Sequence, residues 1–204
     1  METILDGHPF NMEPGMPQLD DYPISPTEPS FGCYWEQEIC NYIVDNIKKD
    51  WNFLDVGAHY GQFGRIAAKR TNGTVYCFEP EPFNYSILES NCLKNMEPHN
   101  MILYEKNGEV GFHVRDIQGA GGHKVGGREM HPCRTLDSYG LRIEMMNIDV
   151  EGSGNSLLKG ASETLKTTKY IIFEKHGDDS KAKTILLDRG FEIISNKNGF
   201  IAKK

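Results

Sequence analysis

The 204-residue chain is predicted to be an α/β protein built on one mostly parallel sheet with helices on both faces. Two observations predict this class. Short apolar runs alternate with helix-length segments from residue 52 to residue 190, which is typical of successive β-α units. Near the C-terminus, two apolar runs flank Asn198 and Gly199, a strong hairpin signal that adds one antiparallel strand.

The first half of the chain predicts a helix and then alternating strands and helices. The opening helix, 31–50, depends on four apolar residues that share one face at steps of four: Trp35, Ile39, Ile43 and Ile47. The elements that follow are a strand at 52–56, a helix through 65–70, a strand at 74–79, a helix over 84–95, a weaker strand at 101–105 and a β segment at 109–114.

The second half continues the alternation. Its elements are a strand at 143–149, a helix over 155–166, a strand at 169–174, a helix over 179–188 and strands at 191–195 and 200–202. The strand at 169–174 is the clearest apolar run of the chain. These elements predict a single doubly wound, Rossmann-like seven-stranded sheet, mostly parallel with an antiparallel C-terminal hairpin strand.

Residues 1–30 stand apart from this pattern, because they hold six of the ten prolines among acidic residues and few aliphatic ones. This composition predicts an extended or disordered N-terminal arm. The alternative is a lid that packs across a binding cleft. Residues 31–204 are predicted to form one globular domain.

Composition argues against several classes of protein. A formal net charge of −7 disfavours binding to nucleic acid and to acidic membranes. No apolar run is long enough to insert into a membrane, and the N-terminus has no signal-peptide pattern. Five dispersed cysteines without Cys-x-x-Cys argue against a zinc site or a disulfide scaffold and favour a reducing, cytoplasmic location.

A glycine turn directly follows the strand at 52–56. Asp55 precedes it, and its residues are Gly57, Ala58, His59, Tyr60 and Gly61. The next strand ends on Glu79 and Pro80. Because glycines allow close backbone approach and a strand-end carboxylate can accept from ribose hydroxyls, this spacing predicts an adenosine-bearing cofactor. Asp55 is expected to bind a cofactor ammonium group directly or through water. The alternatives are a helix cap for Asp55 and a solvated strand end for Glu79.

The spacing Asp55-x-Gly57-x-x-x-Gly61 resembles motif I of the class I S-adenosylmethionine-dependent methyltransferases. Five further stretches are similar to the FkbM family of these enzymes: Phe78-Glu79-Pro80, Thr135-Leu136-Asp137, Ile148-Asp149-Val150-Glu151-Gly152, Leu157-Leu158-Lys159-Gly160-Ala161 and Phe173-Glu174-Lys175-His176. The resemblance implies that 31–204 is a class I methyltransferase domain, that S-adenosylmethionine is the cofactor, and that a hydroxyl of a sugar or natural product is O-methylated. The chain departs from the family pattern at Asn147, where a lysine is common, and at Ser153-Gly154-Asn155, where a further glutamate is usual.

Two strands that are predicted to be neighbours end in the candidate catalytic residues. Asp149 and Glu151 end one strand, and Glu174 and His176 end the other. Ligands bind at the carboxyl edge of such sheets, so these side chains are expected to face the acceptor. Asp149 is the first choice for general base, and His176 is the second. Asp149 is also expected to contact the cofactor. The same four residues could hold a divalent metal ion, although a metal-free site is favoured. Glu174 and His176 could instead cap their loop.

Specificity is expected in the proline-rich arm, in the segment 128–134 and in a glycine-rich loop at 119–127. The loop is either only flexible or orders on the substrate, with His123 or Lys124 reaching inward.

The leading partner is a small-molecule or glycan acceptor. A methyltransferase acting on RNA ribose or a cap is disfavoured by the acidic balance. A nicotinamide-dependent oxidoreductase is disfavoured by the glycine spacing, and a non-catalytic cofactor-binding protein is motivated by the two departures. No pattern predicts the oligomeric state.

Overall fold

The computed structural model describes residues 2–5, 8–11, 37–114, 122–176, 180–195 and 199–204. The helices in this part of the chain are α1 (Gln37–Asn46), α2 (Gln62–Arg70), α3 (Pro82–Asn91), α4 (Gly154–Lys159) and α5 (Ser180–Leu187). Short 3-10 helices span Leu136–Tyr139 and Thr164–Lys166. The strands are β1 (Glu2–Leu5), β2 (His8–Asn11), β3 (Phe53–Val56), β4 (Val75–Phe78), β5 (Met96–His99), β6 (Ile102–Leu103), β7 (Gly108–His113), β8 (Lys124–Val125), β9 (Glu129–Arg134), β10 (Met145–Ile148), β11 (Tyr170–Glu174), β12 (Glu192–Ser195) and β13 (Gly199–Lys203).

A seven-stranded sheet forms the centre of the fold, in the order β12-β13-β11-β10-β3-β4-β5. The neighbouring pairs from β11 to β5 are parallel, and β13 runs antiparallel to both β11 and β12. The predicted α/β fold class, including the antiparallel strand of the C-terminal hairpin, is therefore confirmed.

Successive residues of a strand point to opposite faces of the sheet. Both faces are apolar here, and helices pack on each of them. Phe53 of β3 packs into an apolar cluster with α1, α2 and Leu88 of α3. Leu54, the next residue, packs into a second cluster with α4 and α5. The sheet is therefore doubly wound, with helices packed on both faces.

The third strand of the central sheet was predicted wrongly. The prediction placed this strand at 101–105. In the structure, the strand beside β4 is β5, and Ile102–Leu103 belongs to another sheet. Pro98 lies inside β5, and proline disfavours a central strand because it cannot donate to the ladder. Since β5 is the edge strand, one side of it needs no ladder partner, and the proline is tolerated.

A separate four-stranded sheet, which the sequence did not predict, lies between β5 and β10 in the chain. Its order is β6-β9-β7-β8, and β7 confirms the predicted β segment after Asn107 and Gly108. The first part of the arm at 1–30 contains the antiparallel hairpin β1–β2, whereas 12–30 lie outside the described residues. The division at residue 30, and the choice between arm and lid, stay predictions. None of the described helices is long and apolar enough to span a membrane.

Candidate active site

The glycine turn lies where the tips of β3, β4 and β10 meet. Gly57 has a φ of +80°, and its N–H donates to the carbonyl of Phe78 at 2.9 Å. A Cβ atom added to Gly57 would lie 1.8 Å from the carbonyl oxygen of Asp149. Glycine is therefore required at this position by two conditions, the left-handed backbone and the close approach of the tip of β10.

The rest of the turn is shaped by contacts with α3 and β4. His59 has a φ of +49°, its N–H donates to Glu79 Oε2 at 2.9 Å, and its ring stacks on that of Tyr60. Gly61 has a φ of +88°, and an added Cβ would lie 2.6 Å from Leu88 Cδ1. The buried amide of Asn91 donates to the carbonyl of Tyr60 at 2.8 Å. The turn is thus fixed from two sides by contacts within the protein.

Glu79 joins the turn to the start of α3. Its side chain is buried, and its second oxygen accepts from the N–H of Glu81 at 2.9 Å. Burial raises the pKa of Glu79 to about 7, although these two backbone donors favour the charged form. A carboxylate offers about four acceptor positions, and these two backbone donors use two of them. Asn100 holds the carbonyls of Glu79 and Pro80, which fixes the direction in which the chain leaves β4.

Asp55 lies beneath the turn and has no exposed surface. Its Oδ2 accepts from the N–H of Gly64 in the first turn of α2 at 2.9 Å, and its Oδ1 accepts from Asn147 Nδ2 at 3.0 Å. Burial raises the pKa of Asp55 to about 7. In this conformation the carboxylate contacts the protein interior, so the expected ammonium contact stays a prediction.

Asn147 is a site residue that was noticed in the sequence only as a departure from the family pattern. It lies on β10, directly opposite Asp55 of β3 in the register of the sheet. Sequence reasoning had no signal for the hydrogen bond, because the two residues are 92 positions apart in the chain.

The four candidate catalytic side chains come together, as expected for neighbouring parallel strands. His176 Nε2 lies 2.7 Å from Asp149 Oδ1 and 3.9 Å from Glu174 Oε1. His176 Nδ1 lies 3.2 Å from Glu151 Oε2. All four side chains are partly exposed, so they can be reached from solvent.

This environment favours a protonated His176. The hydrogen bond that His176 donates to Asp149, with the charges of Asp149, Glu151 and Glu174, raises the pKa of His176 to about 9 despite partial burial. Both ring nitrogens contact carboxylates. Asp149 contacts His176 through one carboxylate oxygen, while both nitrogens of His176 are engaged within the cluster.

The raised pKa predicts how stability depends on pH. The pKa of His176 in the folded chain lies above its ordinary value of 6.5, so its stabilisation is complete below pH 6.5 and is lost as pH rises through about 9. We expect the difference in unfolding free energy between wild type and His176→Gln to fall by about 1–2 kcal/mol over this window, after allowance for solvent screening. Urea unfolding at each pH measures it. Parallel stability curves for the two proteins would contradict the ion pair.

The same cluster fits a divalent cation. Asp149, Glu174 and His176 each offer one ligand atom, and these atoms all lie within 4.8 Å of one another. Carboxylate oxygens with one imidazole nitrogen suit several divalent ions. A cation bound there would act as a Lewis acid on the acceptor hydroxyl and take the place of the proton on His176.

The described part of the glycine-rich loop reaches this edge of the sheet. Lys124 of β8 forms a parallel β-bridge with Glu151. An added Cβ on Gly127 would lie 2.0 Å from the carbonyl oxygen of Phe112, so the hairpin depends on a glycine there. Residues 119–121 lie outside the described residues, and the inward reach of His123 or Lys124 stays a prediction.

Asp137 of the Thr135-Leu136-Asp137 stretch has a structural role. Its carboxylate accepts from the backbone N–H groups of Glu163 and Thr164 and from the hydroxyl of Thr164. It therefore stabilises the 3-10 turn that precedes β11.

Comparisons with solved structures support the fold. A precorrin-8w decarboxylase from Methanobacterium thermoautotrophicum is similar with a TM-score of 0.53 and 15% identity, covering 91% of this chain and 97% of the other. A precorrin-6y C5,15-methyltransferase from Geobacter metallireducens is similar with a TM-score of 0.51 and 16% identity, covering 91% and 94%.

Comparisons of sequence are more specific. The hexuronic acid methyltransferase AglP of Haloferax volcanii is 27% identical over 165 residues, covering 74% of this chain and 67% of that protein. The 2-O-methyltransferase NoeI of Sinorhizobium fredii is 27% identical over 159 residues, covering 62% and 64%. The chain thus spans about two thirds of the length of these relatives.

The Methyltransferase FkbM domain matches residues 55–193, a range that begins at the acid before the glycine turn and ends in the C-terminal hairpin. The chain therefore belongs to the FkbM family of class I S-adenosylmethionine-dependent methyltransferases.

Proposed function

We propose that the chain is an O-methyltransferase that transfers the methyl group of S-adenosylmethionine to a hydroxyl of a sugar, glycan or related small molecule. One observation carries the proposal: the Asp149–His176 pair lies at the carboxyl edge, and the backbone of Asp149 contacts Gly57 of the glycine turn. The candidate base therefore adjoins the expected donor site.

The residues at this edge fit the chemistry of the donor. S-adenosylmethionine carries a sulfonium and an ammonium group, and it supplies an electrophilic methyl group. Glu79 retains acceptor positions for the ribose hydroxyls. Asp149, Glu151 and Glu174 place three carboxylates around His176, so the charge of this cluster favours a cationic ligand.

Methyl transfer needs alignment and the removal of one proton. The acceptor oxygen attacks the methyl carbon while the carbon–sulfur bond breaks, and the electron pair of that bond goes to sulfur. Asp149 accepts the hydroxyl proton, and His176 holds Asp149 in position through the 2.7 Å contact. Alignment of donor and acceptor supplies much of the remaining rate.

Two lines of support favour a sugar-like acceptor. Both relatives described above carry names of methyltransferases, one for a hexuronic acid and one for a 2-O position. The net charge of −7 and the carboxylate cluster disfavour an acceptor rich in phosphate, such as RNA.

Calorimetry with S-adenosylhomocysteine tests the donor site. We expect binding to the wild-type chain and a loss of about tenfold or more in affinity for Glu79→Ala, because a hydrogen bond to a charged group contributes about 1.5–3 kcal/mol. Glu192→Ala, on the distal edge strand β12, serves as a control that should bind normally. Binding of NADH without binding of S-adenosylhomocysteine would refute the proposed function.

A further inference from the structure

Asp55 and Asn147 form a polar pair on an otherwise apolar face of the sheet. Their cross-strand neighbours are Cys77 beside Asp55 and Ile172 beside Asn147. Asp55 and Asn147 are 0% and 1% exposed. A charged or polar group at such depth needs hydrogen-bond partners, so the contacts of this pair are energetically important.

Two hydrogen bonds through Asp55 connect β10 to the start of α2, which follows the glycine turn. Asn147 Nδ2 donates to Asp55 Oδ1 at 3.0 Å, and the N–H of Gly64 donates to Asp55 Oδ2 at 2.9 Å. Gly64 lies in the first turn of α2, where an added Cβ would lie 2.6 Å from Cys77 Sγ. The pair therefore fixes the position of α2, which begins directly after Gly61 of the glycine turn.

The amide oxygen of Asn147 indicates which substitution at position 55 this pair can accommodate. Asn147 Oδ1 is buried without a hydrogen-bond partner among the described residues. If the amide turned by 180°, Oδ1 would face position 55 and could accept from a donor there. An asparagine at position 55 provides such a donor and still accepts from Gly64 through its own oxygen. The turned amide would place Nδ2 where Oδ1 now lies, so one atom of Asn147 stays without a partner in either case. The hydrogen bonds of position 55 are thus kept with a neutral asparagine there.

We propose that Asn147 and Asp55 act together as positioning residues for the methyl donor, and that Asp55 acts through the glycine turn and not through a charge contact with the donor. The inference depends on the proposed function, because it concerns the donor site of that activity. It assigns a role to Asn147, and it predicts that hydrogen bonding at position 55, and not negative charge, supports donor binding.

Four variants separate these roles. Val and Thr have nearly the same shape and suit a strand, but only Thr can donate a hydrogen bond. We expect Asn147→Val to weaken S-adenosylhomocysteine binding about tenfold or more and Asn147→Thr about threefold or less. Asp55→Asn should bind within about fivefold of wild type, whereas Asp55→Ala should lose about tenfold or more. With saturating donor, kcat of Asn147→Val should stay within about threefold of wild type.

Asn95→Ala is the matched control. Asn95 donates to the carbonyls of Ala68, Thr71 and Gly73 at the other end of α2, so its loss weakens the same helix away from the turn. Its donor affinity should equal that of wild type.

Two results would overturn the inference: unchanged affinity in Asn147→Val, or an equal loss in Asp55→Asn and Asp55→Ala. If Asn147→Val does not fold, the two Asp55 variants still decide the question. Binding by the wild-type chain tests the proposed function separately, so the two proposals can fail independently.

Discussion

Asp149→Asn is expected to lower kcat by about 10²–10⁴-fold, the range for removal of a positioned general base. Asparagine keeps the size of the side chain but cannot take the hydroxyl proton. It also removes the carboxylate that contacts His176 at 2.7 Å, so the imidazole loses its strongest partner. Because the change acts mainly on chemistry, affinity for S-adenosylhomocysteine should change by less than about tenfold.

Single-turnover kinetics with saturating donor and a panel of sugar acceptors measures this effect. Asp188→Asn, an exposed carboxylate after α5, is the control and should leave kcat unchanged. Glu151 contacts the other ring nitrogen of His176, so Glu151→Gln should lower kcat less than Asp149→Asn does. Turnover of Asp149→Asn at the wild-type rate would exclude Asp149 as the base.

The pH profile of kcat distinguishes Asp149 from His176. The pKa of His176 is about 9, so a mechanism with neutral His176 as base predicts a rate that rises with pH up to that value. A mechanism with Asp149 as base does not require deprotonation of His176 and predicts no such rise. We expect the second result. Activity that survives EDTA would exclude the metal-assisted alternative at the same cluster.

Gly57→Ala is expected to have the largest effect on stability, about 3–5 kcal/mol. The left-handed backbone costs an alanine about 1 kcal/mol, and the remainder comes from overpacking against the backbone of Asp149. An added Cβ would lie 1.8 Å from the carbonyl oxygen of that residue, so β3 and β10 must separate at their tips. Donor binding and catalysis should therefore fail together with stability.

Gly190→Ala is a closely matched control. Gly190 has a φ of +81°, against +80° for Gly57, and an added Cβ there meets no atom within 4 Å. Gly190→Ala should therefore lower the free energy of unfolding only through backbone strain, by about 1 kcal/mol. Urea denaturation measures both variants, and an equal loss in the two would show that the contact with Asp149 is unimportant.

Much of the fold could be predicted because its signals are local. The apolar runs at β3, β4, β10 and β11 identified strands of the central sheet, and Asn198-Gly199 identified the hairpin. The prediction failed at β5, where Pro98 weakened the strand signal, and at the four-stranded sheet, in which β6 and β8 have only two residues each. Edge position compensates for a proline, and no local pattern records which strand lies at an edge.

The sequence by itself determined the glycine turn, the carboxylates at the strand tips and the family. The tertiary structure decided which of these groups meet. It buried Asp55 against Asn147, 92 positions away, and it surrounded His176 with carboxylates from two strand ends. Local periodicity specifies which face of a strand a residue occupies, but contact and burial depend on the register between strands. The pKa values of Asp55, Glu79 and His176 follow from that register, because burial and neighbouring charges set them.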